Sequence, residues 1–77
     1  MTLDQSPVGQ VAVIRSVGGE QSFRRRLLEL GLLPDTEVTV LRVAPLGDPI
    51  ELTARGTRLS IRKREAQSVS VASGAGA

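Results

Sequence analysis

Five short segments rich in β-branched residues, separated by turns that contain glycine or proline, limit this 77-residue chain to a small, mainly β fold. These segments predict strands at residues 10–17, 37–43, 50–55, 58–62 and 69–71. Five short strands in an open flat sheet would leave edges free to pair with other chains, and closure into a barrel removes most of that hazard. We therefore expect a small SH3-like five-stranded barrel, with residues 1–72 as one domain and residues 73–77 as a flexible tail.

One short α-helix is predicted directly after the first strand. Phe23, Leu27 and Leu30 recur at i, i+4 and i+7, which places them on one face of a helix between residues 20 and 30. Gly31 follows as the expected C-terminal cap. Leu28 falls near the far edge of that face, so it is not obviously a core residue.

The second strand has an irregular pattern of apolar residues. Val38 and Val40 share one face, whereas Leu41 and Val43 fall on the other. Either both faces of this strand are covered or a β-bulge shifts the phase near Val40.

The composition excludes most catalytic and metal chemistry. The chain has no histidine and no cysteine, so the commonest general base, the commonest nucleophile and the preferred ligands of ferrous or zinc ions are missing. The carboxylates lie on separate predicted turns and strand faces. We accordingly expect no enzymatic activity, no catalytic residue, no metal site and no cofactor.

The apolar runs are too short for a membrane protein. None approaches the roughly 18–20 residues that a transmembrane helix needs, and the first twenty residues lack the basic and then apolar layout of a signal peptide. A cytoplasmic protein without direct membrane insertion is expected.

A basic triplet is the first candidate for a functional surface. Arg24, Arg25 and Arg26 are consecutive, and a second basic group, at residues 58 and 62–64, follows near the end of the chain. A solvated face, partner recognition and nucleic-acid binding are the alternatives. Three consecutive helical residues cannot form one stripe, and Phe23 is the only aromatic residue, so no stacking platform for bases exists.

A cluster of apolar residues at the predicted helix end is the second candidate. It offers more leucine than one short helix and turn can bury, so core packing and partner contact both remain open for its members. Our hypothesis is that the helix and the following turn bind a protein partner through Arg24, Arg25, Leu28, Leu32, Leu33 and Pro34.

Several local motifs together resemble the ferrous iron transport protein A (FeoA) family. The helix end Arg26-Leu27-Leu28-Glu29-Leu30-Gly31 leads into the turn Leu33-Pro34, as it does in that family. The turn Gly47-Asp48-Pro49, the single Gly56 between two strands and the basic Arg62 before the last strand are also typical. Asp35 departs from the pattern, because the family usually has glycine there.

The resemblance implies an SH3-like barrel in the bacterial cytoplasm that associates with the ferrous iron transporter B, a membrane protein with a cytosolic GTP-binding domain. It implies no metal site. Stimulation of GTP hydrolysis, assembly of the complex and gating remain separate hypotheses for how such a protein would act on the transporter.

Two alternative functions remain. A small nucleic-acid-binding barrel would bind RNA or DNA with strong salt dependence. A detached C-terminal SH3-like domain of an iron-dependent repressor is the second, although the eight residues between Met1 and the first predicted strand leave no room for a winged-helix domain. Homodimerisation through an open barrel edge is a separate hypothesis about the partners of the chain, and it is compatible with the main function.

Overall fold

Five strands and two short α-helices follow an N-terminal 3₁₀ turn in the computed structural model, which describes residues 1–74. Their bounds, in chain order, are the 3₁₀ turn at Leu3–Gln5, β1 at Val11–Val17, α1 at Gln21–Glu29, β2 at Glu37–Val43, β3 at Ile50–Ala54, β4 at Thr57–Ile61, α2 at Lys63–Ala66 and β5 at Val69–Ser73. The mainly β fold with one short helix after the first strand is thus confirmed.

All five strands belong to one antiparallel sheet in the order β4-β3-β2-β1-β5. The register of β2 against β3 shifts between Val40 and Arg42, so the structure selects the bulge from the two alternatives for this strand. A second shift, between Ile14 and Ser16, interrupts the pairing of β1 with β5. Such bulges bend their strands and increase the local twist, so they help this sheet to curl into an SH3-like barrel.

The barrel encloses a single aliphatic core. Strand β3 alternates between buried and half-buried residues, as its sequence predicts, and the N-terminal turn and both helices each contribute a buried apolar residue to this core. The buried members of this core are Leu3, Ala12, Ile14, Leu27, Leu32, Val38, Val40, Ile50, Leu52, Ala54, Ile61, Ala66, Val69 and Val71.

The two ends of the described chain are tied to the sheet. Leu3 is completely buried, the N–H of Val71 donates to the carbonyl of Met1 at 2.8 Å, and Thr2 forms an isolated bridge with Ser70. At the other end, β5 includes Ser73, which was predicted as the first residue of the flexible tail. Residues 75–77 of that tail lie outside the described residues.

The helices are short. Strand β1 leads through a glycine turn into α1, which has nine residues, and α2 is a single turn between β4 and β5. Neither helix, nor any other in residues 1–74, is long and apolar enough to span a lipid bilayer.

The turn before α1 gives the first testable prediction, for the variant Gly19→Ala. Gly19 has φ +91°, and a Cβ at this position would lie 3.0 Å from Cδ2 of Phe23. We expect the variant to lower the free energy of unfolding by about 2 kcal/mol, because the left-handed backbone and the contact with the ring each disfavour a side chain. Urea denaturation measures this change.

Gly31→Ala is the matched control. Gly31 has φ +95°, but no atom lies within 4 Å of the place that a Cβ would take, so only the backbone cost of roughly 1 kcal/mol applies. Equal losses in the two variants would contradict the proposed contact between the Gly19 position and Phe23.

Candidate partner-binding surface

The C-terminus of α1 fixes the geometry of the leucine-rich region. The N–H of Leu32 donates to the carbonyl of Leu27 at 3.0 Å, and the N–H of Gly31 donates to the carbonyl of Leu28 at 3.0 Å. With Gly31 at φ +95°, these two bonds form a Schellman motif. Gly31 therefore ends the helix, as its position in the sequence predicted.

This motif decides which leucines are buried. A Schellman motif brings the residue after the glycine back against the helix, and Leu32 and Leu27 are accordingly both buried in the same core. Leu30, which was predicted on the buried face, is instead 37% exposed, because the helix ends at Glu29 and Leu30 is the cap residue. The prediction that Leu30 lies on the buried face was therefore wrong. Leu32 occupies the core position that the sequence pattern assigned to Leu30.

Leu32 therefore leaves the set of candidate partner-binding residues. Its side chain has no exposed surface, so it could reach a partner only if the core opened. Core packing was one of the two alternatives for this residue, and the structure selects it.

The turn after Leu32 is rigidly attached to the sheet. The N–H of Thr36 donates to the carbonyl of Leu33 at 3.1 Å, with Pro34 and then Asp35 at the centre of the turn. Asp35 has φ +70°, so this is the position in a type II turn where glycine is favoured. The N–H of Asp35 also donates to the carbonyl of Ile14 at 2.7 Å, which anchors the turn to β1 beside its bulge.

The outer face of α1 brings three of the predicted residues together. Arg24, Arg25 and Leu28 line a shallow depression of about 310 Å³, together with Gln21. The side chain of Leu28 is 37% exposed, whereas its neighbour Leu27 is completely buried. We call the three predicted residues, Arg24, Arg25 and Leu28, the helix surface.

Leu33 and Pro34 are exposed but are not part of the helix surface. Leu33 is 37% exposed at the start of the turn, and Pro34 follows it at the first central position. Neither residue lines the depression formed by α1. The two residues follow α1 in the sequence but lie outside the depression, and their role in partner binding stays a prediction.

Arg26 points away from the other two arginines of the triplet. Its guanidinium forms an ion pair with the carboxylate of Glu65 at 2.5 Å, and that carboxylate also accepts the backbone N–H of Arg62 at 2.8 Å. Glu65 is only 5% exposed, so this pair joins α1 to α2 across a mostly buried carboxylate. The division of the triplet agrees with the expectation that three consecutive arginines cannot form one stripe.

Glu65 gives the second testable prediction, for the variant Glu65→Ala. The change removes two hydrogen bonds to a carboxylate that is almost buried, so we expect the free energy of unfolding to fall by about 2 kcal/mol. Glu65→Gln keeps an oxygen that can accept the Arg62 N–H, and it should lose about half as much. Urea denaturation of both variants measures the difference.

Arg26→Ala is the control for the ion pair. Because the Arg26 side chain is 58% exposed, its removal should cost less than the removal of Glu65. A larger loss from Arg26→Ala than from Glu65→Ala would contradict this expectation, and it would mean that the Glu65 carboxylate left without its cation costs more than the lost cap on Arg62.

The fold and this surface together define a class of protein. The chain is a small SH3-like barrel domain that exposes a leucine flanked by two arginines on α1, and residues 1–74 contain no group of three or more side chains that could hold a metal ion. A model of the FeoA domain matches residues 1–73. The chain belongs to the FeoA family, whose members are accessory to ferrous iron transport.

Solved structures of FeoA proteins are similar over nearly the whole chain. The FeoA protein of Chlorobium tepidum has 43% sequence identity and a TM-score of 0.93, with 100% of this chain and 73% of that chain covered. The zinc-complexed FeoA of Stenotrophomonas maltophilia, described as a prokaryotic SH3 domain protein, has 34% identity and a TM-score of 0.81 over 94% of this chain and 89% of that chain.

A curated relative is a much longer polypeptide. It is an Fe(2+) transport protein A/Fe(2+) transporter FeoB fusion protein of Porphyromonas gingivalis, 35% identical over 71 residues. The match covers 92% of this chain but only 8% of that relative. A manganese-dependent transcriptional repressor, at 16% identity and a TM-score of 0.86, shares the fold alone.

Proposed function

We propose that this protein is a non-enzymatic accessory protein of bacterial ferrous iron uptake that docks onto the cytosolic side of the ferrous iron transporter B. The observation that carries the proposal is the fusion of a 35% identical relative with FeoB in one polypeptide. Fusion in one polypeptide gives each domain a high effective concentration near the other. This is an advantage only for domains that contact each other in their function. A FeoA domain that acts on FeoB needs a surface through which it contacts FeoB.

The helix surface is suited to that task. Leu28 offers an apolar side chain that is one third exposed, and burial of this side chain in a pocket of the partner would anchor the complex. Arg24 and Arg25 line the same depression and would steer an acidic partner surface toward it. The Schellman motif and the attached turn hold the helix end in place, so little order has to be gained on binding.

Cytoplasmic location follows from this proposal, since the partner surface lies on the cytosolic side of the membrane. The protein would act through contact alone, by stimulating GTP hydrolysis, assembling the transporter complex or gating it. A nucleic-acid-binding role is the competing function that the same arginines suggest.

Binding of the purified chain to the cytosolic domain of the transporter from the same organism tests the proposal, with a random-sequence RNA alongside. We expect saturable binding to the transporter domain, measured by isothermal titration calorimetry, and weak binding to RNA that disappears as salt is added. RNA binding without any affinity for the transporter domain would contradict the proposal and support the nucleic-acid alternative.

A further inference from the structure

A second concave feature, larger than the depression at the helix surface, lies on the opposite side of α1. It has a volume of about 450 Å³ and is formed between the start of α1, the end of β4 and α2. We call it the arginine groove. Its lining residues are Gly19, Glu20, Phe23, Arg26, Arg62, Arg64, Glu65 and Ser68.

The arginine groove contains two cations without a carboxylate partner. Arg26 is neutralised by Glu65, whereas neither Arg62 nor Arg64 forms an ion pair within residues 1–74. Both side chains belong to exposed residues at the start of α2, so they are free to bind an anionic group. Of the second basic group, Arg62 and Arg64 line the groove, whereas residues 58 and 63 do not.

Phe23 adds an apolar wall beside these arginines. It is the only aromatic residue of the chain, and it is only partly buried against the core. Gly19 lets the ring approach the backbone closely, since a Cβ there would lie 3.0 Å from Cδ2 of Phe23. Aromatic residues and arginine are the types that contribute most at protein interfaces.

The lining of the groove favours a polypeptide over a bare anion. Glu20 also lines the groove and has no ion-pair partner within the described residues, so it could accept a backbone N–H, which a polypeptide offers and a bare anion does not. Arg62 and Arg64 can donate to carboxylates, and Phe23 can contact an apolar side chain. A short peptide with acidic and apolar residues offers all three complements.

We propose that the arginine groove binds an acidic peptide segment of a partner protein, with its carboxylates on Arg62 and Arg64 and an apolar side chain against Phe23. This interaction is separate from docking through the helix surface, and it does not depend on the identity of the partner. It gives the exposed basic group near the end of the chain a function beyond solvation.

A synthetic peptide tests the proposal without the transporter. The isotope-labelled chain is titrated with the capped peptide Gly-Glu-Leu-Glu-Gly, and amide chemical shifts are followed by NMR. We expect saturable shifts at Gly19, Phe23 and Ser68 at peptide concentrations below about 5 mM, and none at Leu28. The matched peptide Gly-Gln-Leu-Gln-Gly should bind about tenfold more weakly, because it lacks the charges.

Variants and a second ligand decide between the remaining outcomes. The double variant Arg62→Gln/Arg64→Gln should weaken binding of the acidic peptide by about tenfold, whereas Arg58→Gln, an exposed arginine of β4 outside the groove, should leave it unchanged. The absence of shifts, equal binding of the two peptides, or inorganic phosphate causing the same saturable shifts as the acidic peptide would each overturn the proposal.

Discussion

Leu27→Ala should lower the free energy of unfolding by about 2–5 kcal/mol, the range measured when buried leucines are truncated. Leu27 is completely buried, belongs to the main core and accepts the Schellman hydrogen bond from Leu32 through its carbonyl. A domain of this size has a total stability near the low end of about 5–15 kcal/mol, so the loss would be a large fraction of it. Urea denaturation followed by circular dichroism measures the change.

The adjacent residue gives a matched control. Leu28→Ala makes the same chemical change one position along the same helix, but on a side chain that is 37% exposed. It should cost less than about 1 kcal/mol. If the two variants lost equal stability, Leu28 would be a core residue and the helix surface would not exist as described.

Leu28→Glu should weaken binding to the cytosolic domain of the transporter by about thirtyfold. The change replaces the proposed apolar anchor with a charge that would be unpaired in the partner's pocket, and truncations of such anchors commonly cost about 2 kcal/mol or more. The isolated domain should remain folded, because this side chain is not required by the core. Isothermal titration calorimetry measures the affinity and circular dichroism the fold.

Two further variants complete this test. Leu46→Glu introduces the same charge at a fully exposed leucine in the turn between β2 and β3, and it should leave the affinity unchanged. Arg25→Glu should weaken binding by about tenfold at low salt and less at high salt, since its contribution is electrostatic. An equal loss from Leu46→Glu and Leu28→Glu would mean that added negative charge, and not the helix surface, determines the affinity.

The strands could be predicted because each follows a local pattern. One hairpin was predicted from the alternation over β3 and from the turn at Arg55 and Gly56. In the structure both residues have positive φ and form a two-residue turn between β3 and β4. The conflict of phase around Val40 indicated a bulge as one of two alternatives, and the structure has the bulge. These features depend on neighbouring residues alone.

Helical periodicity alone could not predict which leucines are buried at the end of α1. Helical periodicity placed Leu30 in the core and left Leu32 undecided, but the Schellman motif reverses this assignment. The signal was present in the sequence, as a leucine four residues before Gly31 and another directly after it. Periodicity failed because it assumes that the helix continues.

Contacts between distant segments left no local signal. Glu65 lies 39 residues from its partner Arg26, and Arg62 is not a typical N-cap residue that would have suggested a capping role for Glu65. Leu3 is buried although it stands alone among polar neighbours. Only the fold brings these residues to their partners.

The departure at Asp35 has a physical explanation in the structure. Asp35 occupies a left-handed position with φ +70°, a conformation that favours glycine. Aspartate is among the residues that tolerate this conformation, so the turn forms and its N–H still reaches the carbonyl of Ile14. The substitution leaves the attachment of the turn to β1 intact.

The most direct test of the account is the map of amide chemical-shift changes when the isotope-labelled chain binds the cytosolic domain of its transporter. Docking through the helix surface predicts that the largest changes occur at Arg24, Arg25 and Leu28. Changes concentrated instead at the turn around Leu46 or along β4, with the helix surface unaffected, would contradict it.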